Sequence, residues 1–248
     1  MQRSVRQKTI INAVSTGGTV SVDALGTLTG ASPITIRRDL AELAEHGLVR
    51  RVRGGVTRAE MLGTSLPFSV RFESDRERKD ALAAVAADLV ADGESLILDS
   101  GTTCYAVARR LAGRPITALA LSLHAAAALA TRPGAQVVVP GGPVENDALA
   151  FTSHAAVAAV HEMNADIAII GACSALPGHG LASTDYEDAQ VKRACLAAAS
   201  RRVLVTTADK LTRTSTFRFG DRPAGSLEPR GSEVISRAWR CACRNLPG

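Results

Sequence analysis

Ser32-Pro33-Ile34-Thr35-Ile36-Arg37-Arg38-Asp39-Leu40 is the stretch on which the reading of this chain turns. A serine hydroxyl accepts from the orphan N–H groups of a helix start, and a proline loses nothing at the first helical position, so Ser32 and Pro33 mark a new helix. Its stop is expected at Gly47. Along it Ile36, Leu40 and Leu43 fall at i, i+4 and i+7 and face inward, which turns Pro33, Thr35, Arg37, Arg38 and Ala41 toward solvent or a partner.

Upstream, Val5, Ile10, Ile11 and Val14 support a first helix from Arg3 to Val14, ended by Gly17 and Gly18. Ser21 caps a short second helix in which Val22, Leu25 and Leu28 share a face, with Gly30 closing it. Gly26 inside that helix costs about 1 kcal/mol relative to alanine, so the segment leans on tertiary packing. Downstream, Leu48-Val49-Arg50-Arg51-Val52-Arg53-Gly54-Gly55-Val56 reads as two short strands, or a strand and turn, with interspersed arginines. Helix, turn, helix and basic ribbon is the order of a winged helix-turn-helix, whose second helix of the pair enters the major groove. Arg37 and Arg38 can fork onto guanine edges or phosphate oxygens, and the Ser32 and Thr35 hydroxyls suit a phosphate at the helix start. On an arbitrary helix such arginines are solvated surface charges; the capped turn before them and the glycine-hinged ribbon after them favour DNA.

The charge distribution agrees. Residues 1–60 hold nine Lys/Arg against five Asp/Glu, whereas residues 61–217 hold fourteen against sixteen. A polyanion partner is therefore expected for the N-terminal piece alone. A length of 248 residues exceeds the ~150-residue domain prior. With 46% apolar and 21% charged residues, two globular parts are expected. The uncharged run Pro115 to Thr131 is 17 residues and too short for a bilayer span. No secretory h-region follows Arg3, Arg6 and Lys8, and five cysteines without framework spacing fit a reducing cytoplasm.

Residues 1–57 form the expected DNA-binding domain, 58–74 a linker, 75–220 a second domain and 221–248 a tail. Thr57 to Pro67 carries hinge-like polar residues, and Phe68 to Val90 reads as one helix leading into the second domain. There strands at Ser95–Asp99, Ile116–Leu121, Gln136–Val139, Asp166–Ile170 and Val203–Thr206 alternate with helices at Thr103–Leu111, His124–Ala130, Thr152–His161 and Glu187–Ala199. This alternation implies an α/β domain with a mostly parallel sheet covered on both faces, whose ligands sit outside the C-terminal strand ends.

Those ends read Asp99-Ser100-Gly101-Thr102-Thr103, Ser122, Pro140-Gly141-Gly142, Gly171-Ala172-Cys173-Ser174 and Ala208-Asp209-Lys210. A glycine beside two threonines at a helix start offers N–H and hydroxyl donors to a phosphate monoester, although the same residues also make an ordinary helix cap. Lys210 can neutralise a phosphate, and Asp99 or Asp209 can accept from sugar hydroxyls. Lys192 and Arg193, after Asp185, Glu187 and Asp188, read first as helix-surface pairs. Five small or polar ends on one rim point to a phosphorylated small metabolite.

Both halves together resemble the DeoR-type family of bacterial transcriptional regulators. The segments that carry the resemblance are 32–40, 47–56, Pro67-Phe68, Arg71, Lys79, 98–103, Gly141-Gly142, Gly171-Ala172, Glu187-Asp188-Ala189, Lys192 and Asp209-Lys210, over roughly residues 3 to 220. The resemblance implies a repressor with an operator-binding winged helix and a sensor domain similar in fold to sugar-phosphate isomerases. By position, Thr35, Arg37 and Arg38 would read or clamp DNA, and Arg51 and Arg53 would track its backbone. Asp99, Gly101, Thr102, Thr103, Ser122, Gly141, Gly142, Lys192 and Lys210 would line the effector site. Arg53 stands where the family usually has histidine, Val56 where it has alanine, and Ala120-Leu121-Ser122 replaces a Thr-Asn.

The implied partners are double-stranded operator DNA, a phosphorylated sugar or related effector and further copies of the chain in a dimer or tetramer, with no cofactor, metal or catalytic residue. Asp221 to Gly248, with five arginines, three prolines and the only tryptophan, departs from the family; an out-of-register reading of the gene or true divergence accounts for it. Cys241 and Cys243 lack the further ligands a zinc site needs. The rival reading is a sugar-phosphate isomerase using Asp185 or Glu187 with Lys192, which leaves residues 1–56 unexplained.

Overall fold

The computed structural model describes residues 3–15, 19–45, 49–58, 68–176, 179–207, 210–211 and 214–221. The expected stops at Gly17, Gly18 and Gly47, residues 59–67 of the hinge, Asp209 and residues 222–248 of the tail lie outside them. The chain divides into two units, Met1–Leu66 and Pro67–Gly248.

The first unit holds α1 (Arg3–Ser15), α2 (Val22–Thr29), α3 (Pro33–Glu45) and the antiparallel hairpin β1 (Val49–Val52) and β2 (Gly55–Arg58). Ile10, Ile11, Val14, Leu25, Ile36, Leu40, Leu43, Val49 and Val56 are buried, so the three helices and the hairpin share an aliphatic core. Val5 is exposed, and Leu28, expected on the packed face of α2, is 57% exposed. Steps of three residues drift about 60° backward around a helix, so Leu28 has rotated off the stripe begun by Val22 and Leu25. Thr29 takes the buried place, its hydroxyl donating to Leu25 O at 2.6 Å. Asp39, on the inward side of α3, is buried against Arg6 of α1.

Thr57 and Arg58, assigned to the hinge on sequence, belong to β2. That strand is pinned to the residue before α2: Val56 and Val20 exchange N–H···O bonds of 2.8 and 2.9 Å. Only glycine fits beside this bridge, because a Cβ on Gly55 would lie 2.2 Å from Val20 O. Gly55→Ala is expected to destabilise the first unit by about 1–3 kcal/mol through overpacking. Thermal melting followed by circular dichroism measures it, and an unchanged midpoint would contradict the close approach.

The second unit comprises α4 (Phe68–Glu73), α5 (Arg76–Asp88), β3 (Ser95–Leu98), α6 (Thr102–Leu111), β4 (Thr117–Ala120), α7 (Leu123–Leu129) and β5 (Gln136–Val138). It continues with α8 (His154–His161), β6 (Ala165–Ile170), β7 (Leu181–Ser183), α9 (Tyr186–Ala198), β8 (Ala199–Leu204) and β9 (Phe217–Gly220). Five strands form a parallel sheet in the order β5-β4-β3-β6-β8, and β7 pairs with β9 in a separate antiparallel ribbon.

Strand alternation sorts the core into two layers. Leu96, Leu98, Ala118, Ala120, Ile167, Ile169 and Val203 pack with α5, α6 and α7 on one face. Ile97, Leu119, Ala168, Ile170 and Leu204 pack with α8 and α9 on the other. Alanines dominate the helix faces, which is how a chain with 3% aromatic residues fills both layers.

Three expectations are corrected. The helix expected over Phe68–Val90 is two helices, broken where Asp75 adopts a left-handed φ of 51°. Buried Lys79 stabilises the break by donating to the Arg71 and Ser74 carbonyls that end α4. The last parallel strand is Ala199–Leu204 rather than Val203–Thr206, because its pairing with β6 begins at Ala199 opposite Ala165. The ribbon of β7 and β9 was not foreseen; three- and four-residue strands carry little periodic signal.

Candidate DNA interface and effector crevice

In the first unit α3 presents two opposite faces. Ser32 caps it, accepting from Thr35 N at 3.3 Å and bonded to Thr35 Oγ1 at 2.9 Å, so both hydroxyls already serve the helix start. Beyond the cap, Arg37, Arg38 and Ala41 are exposed as expected, while Ile36, Asp39, Leu40 and Leu43 are buried. The arginines of the unit divide the same way. Arg6 donates to both Asp39 carboxylate oxygens, at 2.5 and 3.2 Å, and Arg3 pairs with Glu42, together tying α1 to α3. Arg37 and Arg38 have no ion-pair partner among the described residues, and Arg51 and Arg53 are exposed on the hairpin. The outer face of α3 and the hairpin therefore present guanidinium groups to solvent.

In the second unit β3 is central. The chain winds outward through β4 and β5, then returns to place β6 and β8 on the other side, so its direction reverses between β3 and β6. At such a reversal the loops part and leave a crevice at the C-terminal ends. Because all five strands are parallel, every expected loop opens at that end: Gly141 and Gly142 after β5, Ser122 after β4, Asp99 to Thr103 after β3, Cys173 and Ser174 after β6, Lys210 after β8. Gly101 has φ 97°, a left-handed conformation that glycine adopts without strain, immediately before Thr102 opens α6.

Several side chains expected to meet an effector have work inside the protein. Asp99 is 2% exposed, and its Oδ2 accepts from Gly171 N at 2.8 Å and Lys192 Nζ at 2.7 Å, joining the ends of β3 and β6. Lys192, read first as a surface pair, is 4% exposed and also donates to Asp188 Oδ1 at 2.9 Å. Asp188 in turn accepts from Ser183 Oγ at 2.5 Å, and its N–H is capped by Asp185. Burial works against the Lys192 charge, but Asp188 and Asp99 outweigh it and hold its pKa well above the ordinary lysine value. Ser122 is buried and caps α7, accepting from Ala125 N at 3.2 Å. Burial pushes the Cys104 and Cys195 thiols up, which leaves them as unreactive core residues.

The open side of the crevice is furnished by residues that the sequence reading did not assign to the effector site. Arg71 of α4 stands beside the Gly101 turn, its Nη1 3.8 Å from where a Gly101 Cβ would be. It pairs with Asp147 at 3.6 Å, and Asp147 also accepts from Phe68 N through both oxygens at 2.9 Å. Phe68 stacks on His124 with centroids 4.1 Å apart, and Tyr105 sets its edge against both, so rings from α4, α6 and α7 hold α4 in place. The hydroxyls of Ser153, Ser174 and Thr206 are sheltered and have no partner among the described residues. Ser153 Oγ lies against the Gly142 turn, 3.3 Å from where a Cβ would be. Lys210 is half-buried, and its carbonyl accepts from Ala175 N at 2.8 Å, tying the loop after β8 to the loop after β6. No periodic pattern marks Arg71, because α4 is only six residues long.

Among the described residues no helix is long and apolar enough to cross a membrane, and no group of His, Cys, Asp and Glu suits a metal ion.

Residues 6–61 match the DeoR-like helix-turn-helix domain, and residues 74–223 match the DeoR C terminal sensor domain. The glycerol-3-phosphate regulon repressor of Haemophilus influenzae is 33% identical over 89% of this chain and 86% of its own. The repressor of the same name from Escherichia coli is 28% identical over 89% of this chain and 87% of its own. A ribose 5-phosphate isomerase A structure from Methanocaldococcus jannaschii is 20% identical over 56% of each chain, with a TM-score of 0.41 too low to carry an argument.

Proposed function

The chain belongs to the DeoR family of transcriptional regulators, with a helix-turn-helix for DNA and a sensor domain for an effector, and from that premise we propose a repressor released by a phosphorylated sugar or related phosphate ester. The observation that carries this reading is the division of arginines in the first unit: Arg3 and Arg6 are spent inside it, whereas Arg37 and Arg38 stand outward on α3 beside the exposed Arg51 and Arg53. In this reading α3 enters the major groove and the hairpin follows the phosphates. Ser32 and Thr35 cap the helix whose N–H groups approach the backbone.

The effector's phosphate occupies the Gly101-Thr102-Thr103 turn, where N–H groups at the start of α6 and the Arg71 guanidinium neutralise it. Its polar carbons face Gly141, Gly142, Lys210 and the sheltered hydroxyls of Ser153, Ser174 and Thr206. Asp99, Lys192 and Ser122 hold the loop ends. Differential affinity for the DNA-free arrangement worth about 1–3 kcal/mol would weaken operator binding roughly 5–150-fold. A single winged helix meets few base pairs, so two copies on repeated half-sites supply the specificity, and the regulator works in the cytoplasm. The relatives reported above are repressors rather than enzymes, and so the isomerase alternative is set aside.

Footprinting on the chain's own upstream DNA, with and without a panel of phosphate esters headed by glycerol 3-phosphate, tests the proposal. Protection lost on adding one ester supports it; protection indifferent to every phosphorylated compound would leave a DNA-binding protein without this kind of effector. Arg71→Met is expected to raise the ester concentration needed for release about tenfold or more, as for a lost charge-assisted pair of about 1.5–3 kcal/mol, while leaving ligand-free protection unchanged.

A further inference from the structure

Ile34 is 78% exposed, although it is a large aliphatic residue in the first turn of α3. It begins the outward stripe: residues 34, 37, 38 and 41 stand at i, i+3, i+4 and i+7, and Ile34, Arg37, Arg38 and Ala41 are all exposed. The opposite stripe of Ile36, Leu40 and Leu43 is fully packed, so the fold has no use for a second apolar position on the outside. An isoleucine left in water beside two outward arginines is an apolar contact waiting for a partner of high negative charge that also offers methyl groups. The major groove of duplex DNA is such a partner, because thymine alone presents a C5-methyl there while guanine and the phosphates take the arginines. The first residues of a recognition helix are those that reach base edges.

We propose that Ile34 reads a thymine methyl in each operator half-site and so sets part of this protein's sequence preference. The inference rests on α3 being the DNA-reading helix. Pro33 fixes the backbone that precedes Ile34, and the Ser32 cap fixes the turn, so the side chain is presented from a rigid start. Its χ1 branching leaves few rotamers to lose on contact.

The test starts with selection by the full chain from a random duplex pool. Each thymine of the selected site is then replaced in turn by uracil, which deletes the methyl and leaves the pairing and groove hydrogen bonds unchanged. One thymine per half-site is expected where the replacement weakens binding by the wild-type chain about fourfold, the worth of one methyl removed from water. The Ile34→Ala chain should bind the thymine and uracil sites within about 1.5-fold of each other and so merge the two responses. Ile34→Val, which keeps both γ carbons and loses only the δ-methyl, should retain most of the discrimination. Alanine is the better helix former, so folding is not at risk, and equal melting curves check it. If a site is selected but every uracil replacement affects wild type and Ile34→Ala alike, the role of Ile34 is overturned while α3 remains the reading helix. If no sequence is selected at all, the premise about α3 falls, and this inference falls with it.

Discussion

Lys192→Met should lower the stability of the second unit by about 3–5 kcal/mol, the cost of leaving buried carboxylates without their cation. Lys192 Nζ lies 2.7 Å from Asp99 and 2.9 Å from Asp188, all three groups being largely withdrawn from water. Removing the ammonium strands two negative charges at the junction of β3, β6 and α9. The melting midpoint should fall by roughly 10 °C for a unit of this size. Adding Asp99→Asn and Asp188→Asn to Lys192→Met removes the stranded charges, keeps an oxygen for the Gly171 N–H, and should restore at least half of the loss. A single variant as stable as wild type would show that the ammonium does not hold these two carboxylates. The pH dependence has a definite sign. The folded pKa of Lys192 is raised by Asp188 and Asp99 over the opposing effect of burial, so its contribution is complete below about pH 10.4. That contribution disappears only as the pH rises through the folded value.

Arg38→Ala is expected to abolish operator protection with no change in melting. A bidentate arginine contact to a base or phosphate is worth about 1–3 kcal/mol, and a two-fold operator counts it twice, so affinity should fall about 30-fold or more. The side chain is exposed and has no ion-pair partner among the described residues, which leaves the fold nothing to lose. This separates Arg38 from Arg6, whose removal would strand buried Asp39 and unsettle the packing of α1 on α3. Full protection by Arg38→Ala at moderate salt would remove that residue from the interface.

How far the sequence could be read depended on the range of the signal. The Ser32-Pro33 start and the 36, 40, 43 stripe are local, and α3 begins and faces as those residues require. Ile34 escaped notice because an exposed isoleucine is invisible until the helix is packed and its direction known. The parallel strands were legible as apolar runs between glycines, yet β8 starts four residues before the run suggests, since pairing with β6 outweighs the preference of Ser200, Arg201 and Arg202. The break at Asp75 depends on a lysine four residues later reaching back to two carbonyls. Lys192 shows the limit best. Its Asp188 partner, four residues away, is the pair a helix-surface rule expects; its Asp99 partner is ninety-three residues away and changes a surface pair into a buried one.

By itself, then, the order of residues determined the helices of the first unit, the alternation of parallel strands and helices in the second, the outward arginines of α3 and the set of glycine- and hydroxyl-rich strand ends. Caps, periods and turns act within a few residues and are written where they act. Tertiary packing decided which of those polar groups remain available. It committed Asp99, Lys192 and Ser122 to the interior, brought Arg71 to the Gly101 turn and left Ser153, Ser174 and Thr206 without partners among the described residues. The physical reason is that burial and long-range charge pairing depend on which segments meet, and β3, β6 and α9 meet only once the sheet has closed around them.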